Sequence, residues 1–152
     1  MTTSAAELGP VLFAYDGSDL AKLAIDEAGR QLAPGRDAIA LTVWQPFNIG
    51  FVPSTGIDFD AAQVLEVKRA AEQTAQDGAS LAEAAGFRSR ALAIEAAPSW
   101  KQIVKCADER EASLIVLGSH GHSGLSDVLV GSVAAAVASH SRRSVLIVHR
   151  GS

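Results

Sequence analysis

Gly118, Gly121, Gly124 and Gly131 punctuate the stretch from Ser113 to Val133, and Ser132 follows the last of them. Ser113 to Leu117 is a short apolar run rich in β-branched residues, the mark of a buried strand. After Gly131 the run SVAAAVASH consists of helix formers, with Val130, Val133, Ala134 and Val137 spaced on one face. A strand that feeds a glycine loop and then a helix start is suited to holding phosphate. First-turn amides lack intrahelical acceptors, the helix dipole favours an anion there, and glycine has no Cβ to exclude one. Ser119, Ser123 and Ser132 add hydroxyl donors, of which Ser132 at the helix start is best placed. His120 and His122 flank Gly121 and read as solvent-facing loop residues; the alternative is that one imidazole donates to a phosphate. With no Cys or carboxylate partner nearby, the two histidines fall short of a zinc set, so no metal site is expected.

Gly118, two residues, Gly121, nine residues and then Gly131-Ser132 reproduce the signature G-2x-G-9x-G-(S/T). With the words LIVLGSHGHSGL and VGSVAAAVASH around it, the chain resembles the ATP-binding branch of the universal stress proteins. The resemblance runs from AYDGS near the start to SVLIV near the end. It implies a nucleotide site formed by Tyr15, Asp16, Val43, Leu117, Gly118, Gly121, Gly131, Ser132 and Val133. The ligand would be ATP, with or without Mg2+. In that reading Val43 offers backbone amide and carbonyl to the adenine edge, and Asp16 meets the ribose hydroxyls or a phosphate-bound metal. Asp16 also has a plainer role open to it, capping the following helix or fixing the turn with Gly17. Tyr15 stands where a smaller residue or Thr is more usual, which would narrow the adenine side. Ala97 and Ser144 depart from the family pattern too, away from the phosphate loop.

Other chemistry does not assemble. There is no G-x-x-x-x-G-K-[ST] and so no Walker lysine, no G-x-S-x-G elbow, and no G-x-G-x-x-G spacing. No Cys/His pair has an orienting partner. Binding is therefore better supported than turnover. A net charge of −4 argues against a nucleic-acid partner, and Arg142-Arg143 reads as a solvated turn. No apolar run approaches the roughly 20 residues that span a bilayer, and the N-terminus lacks the features of a signal peptide. Cys106 is the single cysteine, which suits a reducing cytoplasm; its spacing predicts a partly packed, inert thiol.

The elements that must position these residues alternate. Val11 to Tyr15 is a strand broken by Asp16-Gly17-Ser18, and Asp19 to Leu32 a helix with Ala21, Ile25, Ala28 and Leu32 inward. Ala38 to Trp44 is a second strand, and Gln45 to Asp60, with Pro46, Gly50, Pro53 and Gly56, a long loop. Ala61 to Ala85 is an alanine-rich helix with Val64, Val67, Ala71, Thr74 and Leu81 on one face and Gly86 as its stop. Arg88 to Glu95 is a third strand. Pro98-Ser99 opens a helix to about Arg110, with Trp100, Ile103, Val104 and Ala107 inward, and Ser144 to His149 is the last strand.

Strands separated by helices of this length imply parallel pairing with right-handed crossovers. Residues 1–152 are expected to form one α/β domain, a doubly wound, Rossmann-like parallel sheet of five strands covered on both faces. The resemblance supplies the strand order 3-2-1-4-5, and ligands bind such sheets beside the point where the order reverses. Three functional readings are open: an ATP-binding stress-response module, a slow ATP-hydrolysing enzyme, and a dimeric scaffold that binds no nucleotide. Val145 to Val148 are consecutive apolar residues in an edge strand, and the family commonly dimerises there. A homodimer through the last strand is expected. Coverage by helices on both faces is the competing explanation for that run.

Overall fold

The computed structural model describes residues 8–46, 61–121 and 130–151. Strand and helix alternate as β1 (Val11–Ala14), α1 (Asp19–Gln31), β2 (Asp37–Trp44), α2 (Ala61–Ala84), β3 (Arg88–Glu95), α3 (Ser99–Glu109), β4 (Leu114–Gly118), α4 (Ser132–His140) and β5 (Ser144–Val148). The strands form one five-stranded sheet in the order β3-β2-β1-β4-β5, with every pairing parallel. Val11 lies opposite Ala38 on one side and Leu114 on the other, so β1 is the central strand. The order reverses between β1 and β4, as the resemblance implies.

Side chains alternate along each strand, so two separate cores form. Val11, Phe13, Val116 and Val148 pack with Ile25 and Ala28 of α1 and Ala82 of α2. Leu12, Ile39, Leu41 and Ile115 pack on the other face with Ile103 and Ala107 of α3 and Val137 of α4. This two-sided burial accounts for the uninterrupted apolar runs. In β5, Val145 and Ile147 contribute to one core while Leu146 and Val148 contribute to the other. The apolar run there is thus occupied by the protein's own helices; what β5 leaves at the sheet edge is backbone.

Four expectations change. The spacing places Leu81 inward on α2, but it is 38% exposed, and the buried set is Ala71, Ala75, Gly78, Ala79 and Ala82. The reason is close packing on small residues: a Cβ at Gly78 would lie 2.6 Å from Cδ1 of Tyr15. Val130 and Val133 are 42% and 37% exposed, because they lie before and at the first turn of α4, where only Ala134 and Val137 are buried. Arg143 is more than a solvated turn residue. Its Nε donates to Asp108 at 3.0 Å and its Nη1 to the Ala112 carbonyl at 3.3 Å, joining α3 to the approach to β5. Cys106 is fully buried rather than partly packed, and burial pushes its thiol pKa up. Gly50, Pro53 and Gly56 lie outside the described residues. Among the described residues no helix is long and apolar enough to cross a membrane.

The Tyr15–Gly78 contact sets a test of packing. Alanine is favoured over glycine in a helix by ~1 kcal/mol when nothing obstructs it. Here Gly78→Ala is expected to destabilise by about 1–3 kcal/mol through overpacking. In a Tyr15→Val background the same substitution should become neutral or stabilising, as urea unfolding of the four variants would measure.

Candidate functional site

β1 and β4 end side by side, and their chains leave the sheet in different directions. Between the two exits lies a cavity of about 350 Å³, bounded by the C-terminal ends of β1, β2 and β4 and the starts of α1, α3 and α4. Tyr15, Asp16, Val43, Leu117, Gly118, Gly121, Gly131, Ser132 and Val133 all line it. Ser123, Gly124 and His122 lie outside the described residues.

The exit from β1 is stiffened locally. Oδ1 of Asp16 accepts the Ser18 amide at 2.9 Å, an Asx turn that carries the chain into α1. Ser18, rather than Asp16, is the helix cap: its Oγ accepts the Ala21 amide at 3.2 Å. The second carboxylate oxygen lies toward Gly121, where an added Cβ would come within 2.6 Å of Oδ2. Asp16 is therefore oriented by its own turn while its other oxygen stays on the cavity side.

The exit from β4 is fixed by backbone. The Ser119 amide donates to the Val148 carbonyl at 2.9 Å, and the Ser119 carbonyl accepts the Gly131 amide at 2.7 Å. A Cβ on Gly131 would sit 2.9 Å from that same carbonyl oxygen. None of Gly118, Gly121 and Gly131 has a positive φ, so close approach is what requires these glycines. Gly131 serves as the N-cap of α4 without a side-chain cap, and α3 likewise begins at Pro98 with no side-chain cap. Two helix starts with first-turn amides lacking intrahelical acceptors thus border one cavity.

β2 contributes backbone. The Leu41 carbonyl accepts the Tyr15 amide at 2.8 Å, so Leu41 faces β1. By strand alternation Val43 turns its amide and carbonyl to the same edge, past the end of β1. Its side chain packs in the α3/α4 core. Tyr15 does not narrow the cavity with its ring, which lies against Gly78 of α2 on the opposite face of the sheet. Burial first, then the Asp77 and Asp16 carboxylates, raise its phenol above the ordinary value of 10.0.

Among the polar lining residues, Gln45 and Ser99 escaped the sequence reading. Gln45 follows the C-terminal end of β2 and Ser99 opens α3, so the strand order together with the helix starts places both on this rim. His120 was expected to face solvent, yet it is only 8% exposed. Its Nδ1 lies 3.1 Å from Oγ of Ser119, and its Nε2 is buried without a hydrogen-bond partner among the described residues. Nothing in its spacing signals this, because the neighbour that its ring approaches, Gly131, lies far along the chain. Among the described residues no lysine or arginine lines the cavity, and no cluster of three His, Cys, Asp or Glu side chains is placed to hold a metal ion.

A model of the universal stress protein family matches residues 7–149. The universal stress protein Rv2005c of Mycobacterium tuberculosis is 36% identical over 155 residues, an alignment covering 94% of this chain and 46% of that protein. The chain thus spans about half the length of the curated relatives it matches first. Among solved structures, that of the hypothetical protein MJ0577 shares the fold with a TM-score of 0.76, at 23% identity over 94% of this chain and 96% of that one. A universal stress protein in complex with cAMP superposes with a TM-score of 0.57 at 30% identity, covering 93% and 97% of the two chains.

Two measurements check the geometry. Gly131→Ala should cost about 1–3 kcal/mol in urea unfolding, because its Cβ meets a backbone carbonyl that cannot retreat; Gly121→Ala should cost less, because it meets a side-chain carboxylate. Tyr15 is the single tyrosine of the chain, so its phenol can be titrated by ultraviolet absorbance. The midpoint should lie above 10.0, and since the folded value is the raised one, its contribution to stability is present below the unfolded pKa and lost as pH rises through the folded value.

Proposed function

The chain belongs to the universal stress protein family, and on that footing we propose that it is an ATP-binding stress-response module working as a homodimer. One observation carries the reading: the uncapped start of α4, the close approaches at Gly121 and Gly131 and the backbone edge of Val43 converge on one cavity. Its volume of about 350 Å³ falls in the range of small-molecule sites. The phosphates would take the amides of Ser132, Val133 and Ala134 and the Ser132 hydroxyl. Adenine would lie against Leu117, its edge on the amide and carbonyl of Val43. Asp16 would meet the ribose hydroxyls or a Mg2+ ion. Asp16 is the one carboxylate among the described lining residues, so such an ion would arrive with the phosphates rather than be held by the protein. The similar protein solved with cAMP supports a nucleotide as the ligand class.

Binding is favoured over turnover because no lysine or arginine among the described lining residues faces the developing charge of a leaving phosphate. The dimer would form along β5. The Val148 carbonyl points inward to Ser119, so Val145 and Ile147, offset by one, turn their amides and carbonyls to the open edge of the sheet.

Calorimetry with ATP, AMP, cAMP and GTP is the direct test, together with native mass spectrometry of the purified protein. ATP should bind one per chain and at least about tenfold tighter than GTP. Ser132→Ala should weaken ATP by about tenfold, the value of one hydrogen bond to a charged group. Ser132 is exposed and its side chain caps nothing, which makes it a cleaner probe than Gly131→Val, whose Cβ would strike the Ser119 carbonyl. Tighter binding of cAMP than ATP would make a cyclic monophosphate the ligand, and no binding of any adenine nucleotide would overturn the reading. ADP release should be slow beside the ~1–10³ s⁻¹ of typical enzymes. Light scattering at micromolar concentration should give twice the chain mass; a monomer would overturn the dimer.

A further inference from the structure

We infer that His120 is a phosphate-recognising residue of this site, its Nε2–H donating to a phosphoryl oxygen of the bound nucleotide beside the start of α4. The inference rests on the nucleotide-binding reading and adds to it a side chain outside the glycine signature. Three observations carry it.

First, the imidazole is held in place. Its neighbour Ser119 is 1% exposed and anchored through both backbone groups, to Val148 and to Gly131. Oγ of Ser119 lies 3.1 Å from Nδ1. A serine hydroxyl has a proton to donate, and when Nδ1 accepts it the neutral ring carries its proton on Nε2. A doubly protonated ring presents Nε2–H as well.

Second, that nitrogen has no partner among the described residues although it is buried, in a residue 8% exposed. Buried polar groups are nearly always paired, and leaving one unpaired is costly. Third, its place is defined. Cδ2, the atom bonded to Nε2, lies 3.5 Å from the position a Cβ would take on Gly131, the cap of α4. The edge of the ring that carries the unpartnered nitrogen therefore stands beside the cap of α4, whose first-turn amides are donors. A group that offers acceptors to all of them at once is an anion with several oxygens, and a phosphate is that group.

The chemistry separates this role from core packing. Leucine resembles the imidazole in bulk and has no polar atom, so His120→Leu removes the unpaired donor from the empty protein. Glutamine can place an amide N–H near the position of Nε2. Three proteins should be compared: wild type, His120→Leu and His120→Gln, each titrated with ATP and with adenosine and melted without ligand. The unliganded Leu variant should melt near wild type, because losing the unpaired Nε2 offsets the loss of the Nδ1 partner of Ser119 Oγ. Its ATP affinity should fall by about tenfold or more while adenosine binding stays within about twofold, and the Gln variant should keep most of the ATP affinity. In histidine side-chain 15N spectra of the wild type, ATP but not adenosine should shift Nε2.

Equal losses of ATP and adenosine in the Leu variant, or a melting point well below wild type, would make the imidazole a packing residue and overturn the inference. So would a Leu variant that binds ATP as wild type does; in that case the ATP-binding reading stands and only the role of His120 falls. If the wild type binds neither ligand, both fall together.

Discussion

The hydrogen bond from the Gly131 amide to the Ser119 carbonyl, 2.7 Å long, is the contact on which the site depends. It joins the end of β4 to the beginning of α4 and so fixes where the helix starts relative to the sheet. Because Ser119 also donates to Val148 of β5, the same point ties the start of α4 to the strand that follows it. The contact leaves no room for a side chain on Gly131. The last glycine of the signature is thus required by the protein's own closure before any ligand is considered. Ligand approach and chain closure make the same demand there, and a substitution at Gly131 cannot separate them.

The site that results relies on backbone. Amides at two uncapped helix starts and a strand edge running past its neighbour surround the cavity, while the side chains with formal charge are few. Uncapped helix starts can attract an anion without a basic surface, which is compatible with a chain of net charge −4. Preformed amides cost little reorganisation when a ligand arrives, but they have no basic side chain to follow charge as it moves during phosphoryl transfer.

Much of the architecture was legible in the sequence. Each strand begins and ends within one residue of its expected bounds, because apolar β-branched runs are cut off sharply by Pro10, Gly17, Gly35 or Gly118. The strand order came from the resemblance, since no periodicity contains it, and the sheet has that order. What stayed hidden depends on depth and contact. On α2 the exposed Leu81 has core spacing, while Ala75, Gly78, Ala79 and Ala82 give a weak apolar signal although their small size lets the helix close on Tyr15. Val133 has the spacing of a core residue, yet the helix start on which it sits projects over the cavity. His120 looked like a loop histidine because the residue its ring approaches, Gly131, lies eleven positions later in the chain. All nine residues expected at the site do line one cavity; what each would contact is a separate question that ligand binding must answer.

The central claim is that an adenine nucleotide lies with its phosphates at the start of α4 and its base at the edge of β2. Amide 1H–15N spectra recorded during an ATP titration test it most directly. The account predicts saturable shifts at Val43, Gly118, Gly121 and Gly131 to Ala134, residues brought together only by the fold. Shifts confined to another surface, such as the groove of Lys22, Thr74 and Asp77 between α1 and α2, would contradict it, as would a spectrum that ATP leaves unchanged.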